Sequence, residues 1–135
     1  TVLNIEKTPE FVVNVVSFDQ AAPMNACSEE FPYEVSEFEK CGLTAIPSEK
    51  VKAPRVKEAK VQMECVLHQI VYVGEGPLAA NLIIGRIVLM HVDDAVLGAD
   101  GLPDPRKLDT IGRMGGEFYA RTTDLFELPR PGGKR

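Results

Sequence analysis

The sequence predicts a mainly β domain with short helices. Two long apolar segments, Val61–Val73 and Asn81–Val92, alternate along their length and flank the turn Gly74-Glu75-Gly76-Pro77, the pattern of a long antiparallel hairpin. Phe11-Val12-Val13-Asn14-Val15-Val16 is a third strand, β-branched and apolar on both faces and so expected to be buried on both. Helical signals, by contrast, are confined to short stretches bounded by caps and breakers.

Taken in order, Thr1–Lys7 reads as a short helix that stops before Pro9, which continues a helix poorly. Asp19 is placed to cap a helix through Ala21, Ala22, Met24 and Asn25. Ser28–Val35 is irregular around Pro32. Ser36 then caps Glu37–Cys41, with Gly42 as its left-handed stop, and Leu43–Ile46 is a short extended piece. The hairpin strands are long and apolar on much of both faces, which suits a barrel wall: one face fills the interior and the other meets a helix or a second subunit. After the Gly98–Gly101 turn, Pro103–Thr110 is a loop with one helical turn. Gly115-Gly116 leads into a last strand, Glu117–Arg121, and Leu125–Leu128 extends before Pro129. A single domain over residues 1–131 with a disordered tail at 132–135 is the expected organisation.

Composition narrows the function classes. The chain has 135 residues, 15 basic against 20 acidic, for a net charge of −5 and a pI near 5.1. That balance argues against a nucleic-acid partner. No apolar run approaches the ~20 residues of a membrane-spanning helix. The local basic run Lys50–Lys60 reads as a solvated connector offsetting the acidic residues Glu29, Glu30, Glu34, Glu37 and Glu39. Cys27, Cys41 and Cys65 are too few and scattered for a disulfide framework or zinc site. Their odd number, without a secretion signal, fits a reducing, cytoplasmic setting. Cys65 reads as a small buried hydrophobe. At a mass of 14.8 kDa, a compact fold would expose roughly 7,000 Å².

No familiar catalytic motif is present, so a catalytic residue is not assigned, and no metal site is expected. Asp93-Asp94 after His91 reads as a solvated strand end, and His68 and Glu64 are too far apart on one strand to pair. Asn14, a polar amide among valines, is either a structural clamp or a ligand contact. Arg86 in its apolar strand calls for a carboxylate, a carbonyl or a partner subunit, an internal salt bridge being favoured. The best local site candidate is Arg113-Met114-Gly115-Gly116-Glu117-Phe118-Tyr119. Its glycines admit a ligand close to the backbone, Arg113 offers a fork of donors for phosphate or carboxylate, and Tyr119 a ring with a polar tip. A Gly-Gly bulge feeding the last strand is the plain alternative.

An ordered series of segments resembles the flavin reductase-like, FMN-binding split-barrel family. These are Thr1-Val-Leu-Asn4-Ile5, Glu10-Phe-Val-Val-Asn14, Met24-Asn25-Ala-Cys-Ser28, Val35-Ser-Glu37-Phe38, Cys41-Gly42-Leu-Thr and Met63-Glu64-Cys65. Gly85-Arg-Ile-Val-Leu-Met-His91-Val-Asp-Asp94, Arg113-Met-Gly-Gly116-Glu-Phe-Tyr119 and Leu128-Pro-Arg-Pro131 continue it. The resemblance runs over Thr1–Pro131 and matches the C-terminal two-thirds of the family domain, without its N-terminal part. It implies a split β-barrel homodimer holding FMN near the subunit interface. It also implies hydride or electron transfer through that FMN, with NAD(P)H as donor and an oxygenase or electron-transfer protein as partner. By the same resemblance, Thr1 lies near the FMN phosphate at a helix start, Asn4 follows one turn on, and Arg113, Gly115, Gly116 and Tyr119 form a loop near the flavin. Asn14 joins these as a cofactor-binding candidate. The alternative is a truncated, non-enzymatic split-barrel module that acts by dimerising or by binding another small ligand.

Overall fold

The computed structural model describes residues 1–76 and 79–132. Its spine is the long hairpin, in which β4 (Val61–Val73) pairs antiparallel with β5 (Ala80–Val92), from Val61 opposite Val92 to Val73 opposite Ala80. The strands fall where the alternation predicts them, the second starting one residue earlier. Gly74 and Gly76 take positive φ in the connecting turn; its Pro77 lies outside the described residues. On the other side of β4 lies β1 (Glu10–Asn14), with Glu10 opposite Val66 and Asn14 opposite Gln62, giving the order β1-β4-β5. The predicted run to Val16 is shortened, although Val15 still donates to the Val61 carbonyl at 2.9 Å.

Two bulges break the regular alternation. Val88 is skipped between the pairs Glu64–Leu89 and Cys65–Ile87, and His68 between Leu67–Gly85 and Gln69–Ile84. Each extra residue moves the side-chain phase by one, so the predicted division into two faces holds only between bulges. Gly85 is needed for a different reason. The Phe11 ring fills the space a Cβ would take there.

Around this sheet the helices are short. α1 (Val2–Lys7) leads the chain, and a 3₁₀ turn (Phe18–Gln20) runs into α2 (Ala21–Ala26). Asp19 therefore sits inside the turn and Gln20, not Asp19, occupies the N-cap of α2; the buried Gln20 amide donates to the Glu58 carbonyl. α3 (Glu37–Lys40) has Ser36 at its N-cap without a side-chain cap bond and ends one residue before the predicted Cys41, while Gly42 at φ +69° is the expected left-handed stop and Leu43 N donates to Phe38 O at 2.9 Å. Two short strands, β2 (Ala45–Ile46) and β3 (Arg55–Val56), pair with each other. α4 (Pro105–Leu108) is capped by the Asp104 carboxylate on Arg106 N at 2.8 Å. β6 (Ile111–Gly115) and β7 (Phe118–Arg121) form a second hairpin. β6 is not evident from sequence, because its glycines carry little strand preference and its pairing holds it. Leu125–Leu128 joins no strand, and of the predicted tail only Gly132 is described.

The core is small. Ile5, Val51, Ala59, Val61, Cys65 and Val96 are its buried apolar residues, and the chain exposes 10318 Å². That exceeds the roughly 7,000 Å² expected for a compact chain. β1 reaches only the lower half of β4, so among the described residues the outer half of the hairpin has no third strand. Leu82, Ile87 and Met90 on β5 are about half exposed. β1 is itself an edge strand, and so Val13 is open rather than buried as expected. Among the described residues, no helix is long and apolar enough to cross a membrane.

Candidate functional site

The Arg113–Tyr119 candidate forms the tip of the β6–β7 hairpin. Arg113 faces Tyr119 across the pair, Gly115 faces Phe118, and Met114 is bulged between them. Gly115 at φ +104° and Gly116 at φ +55° make the reversal, a backbone that residues with a Cβ adopt rarely. Arg113 Nη2 donates to the Gly116 carbonyl at 3.2 Å, and among the described residues no carboxylate pairs with it. The loop thus leaves a cation available.

Across from the hairpin stands α2, and between them opens a cavity of about 550 Å³ lined by Met24, Asn25, Arg113, Gly116 and Tyr119. Arg121 also borders it but is already engaged. Its guanidinium binds both oxygens of Asp109, stacks 3.7 Å from the centre of the Phe18 ring, and has its pKa raised by the Asp109 carboxylate. Asp109 reaches it from the left-handed C-cap of α4, at φ +46°. The hairpin base is anchored to the 3₁₀ turn by Phe18 N on Asp109 O at 2.9 Å and by the bridge between Ser17 and Thr110.

The other candidates lie elsewhere. Thr1 and Asn4 line a second pocket of about 430 Å³ with Lys7, Tyr33 and Glu37. Thr1 occupies the α1 N-cap without a side-chain cap bond, while its carbonyl accepts from Asn4 N and Ile5 N at 3.1 Å. Asn14 is engaged in holding β3: its Oδ1 accepts from Val56 N at 3.0 Å and its Nδ2 donates to Val12 O at 3.4 Å. The structure therefore brings Arg113, Gly116 and Tyr119 to one cavity and Thr1 with Asn4 to another.

One constellation escapes the sequence reading. Glu64, with no exposed surface, accepts backbone N–H bonds from Glu49, Lys50 and Val51 at 2.9, 2.6 and 3.2 Å. It also meets His91 Nε2 at 2.6 Å and lies 3.9 Å from Arg55 Nε. Burial alone raises a carboxyl pKa; here the three N–H donors and His91 outweigh it and bring Glu64 down to about 2. The Lys50–Lys60 run is accordingly a strap drawn onto β4 rather than a solvated connector. Arg55 completes it, donating to Gln62 Oε1 at 2.7 Å and to the Pro47 carbonyl. Asp93 is exposed just past the end of β5, as a solvated strand end would be, and in addition it caps Ala95 N at 2.9 Å and meets Lys60 at 3.4 Å. Arg86 departs from expectation: it is exposed and forms no ion pair among the described residues, because β5 is the sheet edge there. The same set holds no cluster of three metal-ligating side chains.

The family model described as the flavin reductase like domain matches residues 1–112. The chain belongs to the flavin reductase-like family. An uncharacterized protein of Aquifex aeolicus (strain VF5) is 45% identical over 121 residues, 90% of this chain and 60% of that protein. The crystal structure of nitrilotriacetate monooxygenase component B from Bacillus cereus matches with a TM-score of 0.86 at 35% identity. It covers 94% of this chain and 63% of that one. The 2-nitrobenzoate 2-nitroreductase of Pseudomonas fluorescens gives 0.80 at 30% identity, over 97% and 64%. The chain thus spans less than two-thirds of these relatives' length. Its fold is mainly β with short helices, that of flavin reductase-like split-barrel proteins.

Proposed function

We propose that the chain binds FMN and takes part in hydride or electron transfer through it, with NAD(P)H as the donor and an oxygenase or another electron acceptor as the partner. The observation that carries this reading is the cleft between α2 and the β6–β7 hairpin, in a chain of this family. Its volume of about 550 Å³ lies within the range of small-molecule sites. A Cβ on Gly115 or Gly116 would meet nothing within 4 Å, so the loop leaves open space beside the backbone. Arg113 supplies unpaired positive charge for an electron-rich or phosphorylated ligand, and Tyr119 a ring against which a flat one can stack. Bound FMN supplies the redox chemistry; the protein holds and tunes it. Thr1 and Asn4 remain the candidates for the phosphate end, and the free thiols favour a reducing cytoplasm.

Titrating the purified protein with FMN, read by flavin fluorescence, should give saturable binding. NADH or NADPH should then be consumed in the presence of bound FMN. No binding at all would remove the cofactor reading. NAD(P)H consumption absent despite binding would favour a flavin-holding, non-enzymatic module.

The exposed edge of β5 supports a second element of the proposal, a homodimer. A 13-residue strand that is paired on one edge only among the described residues and bears Leu82, Ile87 and Met90 is a surface that association would cover. Light scattering should report twice the 14.8 kDa chain mass. A monomer at every concentration tested would reject the dimer.

A further inference from the structure

The basic run Lys50–Lys60 builds a cavity of its own. Where Val61 pairs with Val92, Arg55, Lys57 and Lys60 line a space of about 220 Å³ together with Gln62, His91 and Asp93. None of these residues lines the cleft beside Arg113 or the pocket of Thr1 and Asn4.

The walls are fixed from behind. Buried Gln62 donates through Nε2 to the carbonyls of Val56 and Ala59, both at 2.8 Å, and accepts from Arg55 Nη1 at 2.7 Å. Lys57 N donates to Thr44 O and Asp93 N to Lys60 O, each at 2.9 Å. The Pro47 carbonyl holds Arg55 further, at Nε and Nη2, and only 16% of that side chain is exposed. These bonds use three of the five guanidinium N–H groups and leave one on each terminal nitrogen. The fork is thus set before a ligand arrives, which lowers the ordering cost of binding.

Charge decides what fits. Lys57 forms no ion pair among the described residues, and Lys60 meets Asp93 at 3.4 Å. Glu58, the one acid of the run, accepts from Thr44 N instead and does not line the cavity. Glu64 lies 3.9 Å from Arg55, but its oxygens already take three backbone N–H groups and His91. Three cations against Asp93 leave the lining at +2, in a chain of net charge −5. The adjoining cavity that shares Lys60 sets Asp19 and Asp109 against Lys107 and is balanced.

We propose that Arg55, Lys57 and Lys60 form a binding site for a phosphate dianion, either free or carried as the 2′-phosphate of NADPH. A phosphate monoester brings a charge near −2 and three acceptor oxygens, which match the charge of the lining and the fork of Arg55. The cavity is smaller than the ~300 Å³ at which whole small-molecule sites begin, so it takes the phosphate end of a molecule. The NADPH source rests on the proposed NAD(P)H donor, and in that case the site selects NADPH over NADH. The phosphate site itself rests on neither the donor nor FMN.

The test is calorimetric titration of the purified protein with inorganic phosphate, with adenosine 2′-monophosphate and with adenosine. Saturable 1:1 binding of phosphate is expected, weakening as salt is added, with no binding of adenosine. Tighter binding of adenosine 2′-monophosphate than of phosphate identifies the nucleotide source; equal or weaker binding identifies the free ion. Lys57 is exposed, so Lys57→Glu should leave Tm unchanged while lowering phosphate affinity at least about tenfold, and Lys57→Arg should keep it. Phosphate and adenosine 2′-monophosphate both failing to bind, adenosine binding as tightly as its 2′-phosphate, or undiminished affinity in Lys57→Glu would overturn the proposal. Loss of FMN binding with phosphate binding intact would strike the cofactor reading and leave this site standing.

Discussion

Replacing Glu64 with alanine is expected to lower Tm by roughly 10–20 °C in a circular-dichroism melt, the equivalent of about 3–5 kcal/mol for breaking a buried charged cluster. The cost has two sources. Three backbone N–H groups at Glu49, Lys50 and Val51 lose their acceptor, and the strap they belong to loses its attachment to β4. Glu64→Gln separates charge from shape. The amide keeps one acceptor oxygen, but its NH₂ faces donors, so a smaller loss is expected. pH separates them further. The Glu64 carboxyl is held at about 2 against an ordinary 4.5, so its contribution is complete above about 4.5 and fades as pH falls toward 2. Wild-type Tm should therefore drop over that interval, and Glu64→Gln should show a flatter acid limb. His91, Arg55 and Glu49 also face the site, at 2.6 and 3.9 Å from Glu64 for the first two, and Glu49 at 3.9 Å from His91 Nδ1. An alanine variant melting with the wild type would mean that the strap is held by something other than Glu64.

Glu64 also shows where sequence stops being legible. The hairpin was readable because its apolar alternation runs for thirteen residues on each strand, and periodicity that long leaves one answer. Within it, Glu64 looked isolated only because it was compared with His68 on its own strand. The register sets Gln62 opposite His91, which makes His91 the diagonal neighbour of Glu64. A charged residue at mid-strand, together with that register, was the available signal. The bulges at His68 and Val88 had none, since a phase slip leaves composition unchanged.

The candidate site divides the same way. Arg113, the two glycines and Tyr119 were visible because glycine pairs beside a cation and an aromatic ring are locally unusual. The opposite wall of the cleft, Met24 and Asn25 on α2, reads as an ordinary short helix. Only tertiary packing brings α2 to the hairpin. Thr1 and Asn4 were candidates through family resemblance alone, and no local pattern would have chosen them.

Arg113→Ala should weaken FMN binding about 10- to 100-fold, the range for losing a hydrogen bond to a charged group, with little change in Tm. The asymmetry follows from what Arg113 touches. Its side chain is exposed and makes a single bond, to the Gly116 carbonyl, so the fold has little to lose. Arg121, on the same cavity wall, makes the contrast: paired with Asp109 and stacked on Phe18, it serves the hairpin base. Arg121→Ala should lower stability more than its direct share of ligand affinity. Arg113→Lys should recover only part of the binding, because it restores the charge without the planar fork. Unchanged FMN affinity in Arg113→Ala would remove the β6–β7 loop from the flavin site. A loss in Thr1→Val alone would then move the site to the pocket beside α1, where Thr1 and Asn4 lie.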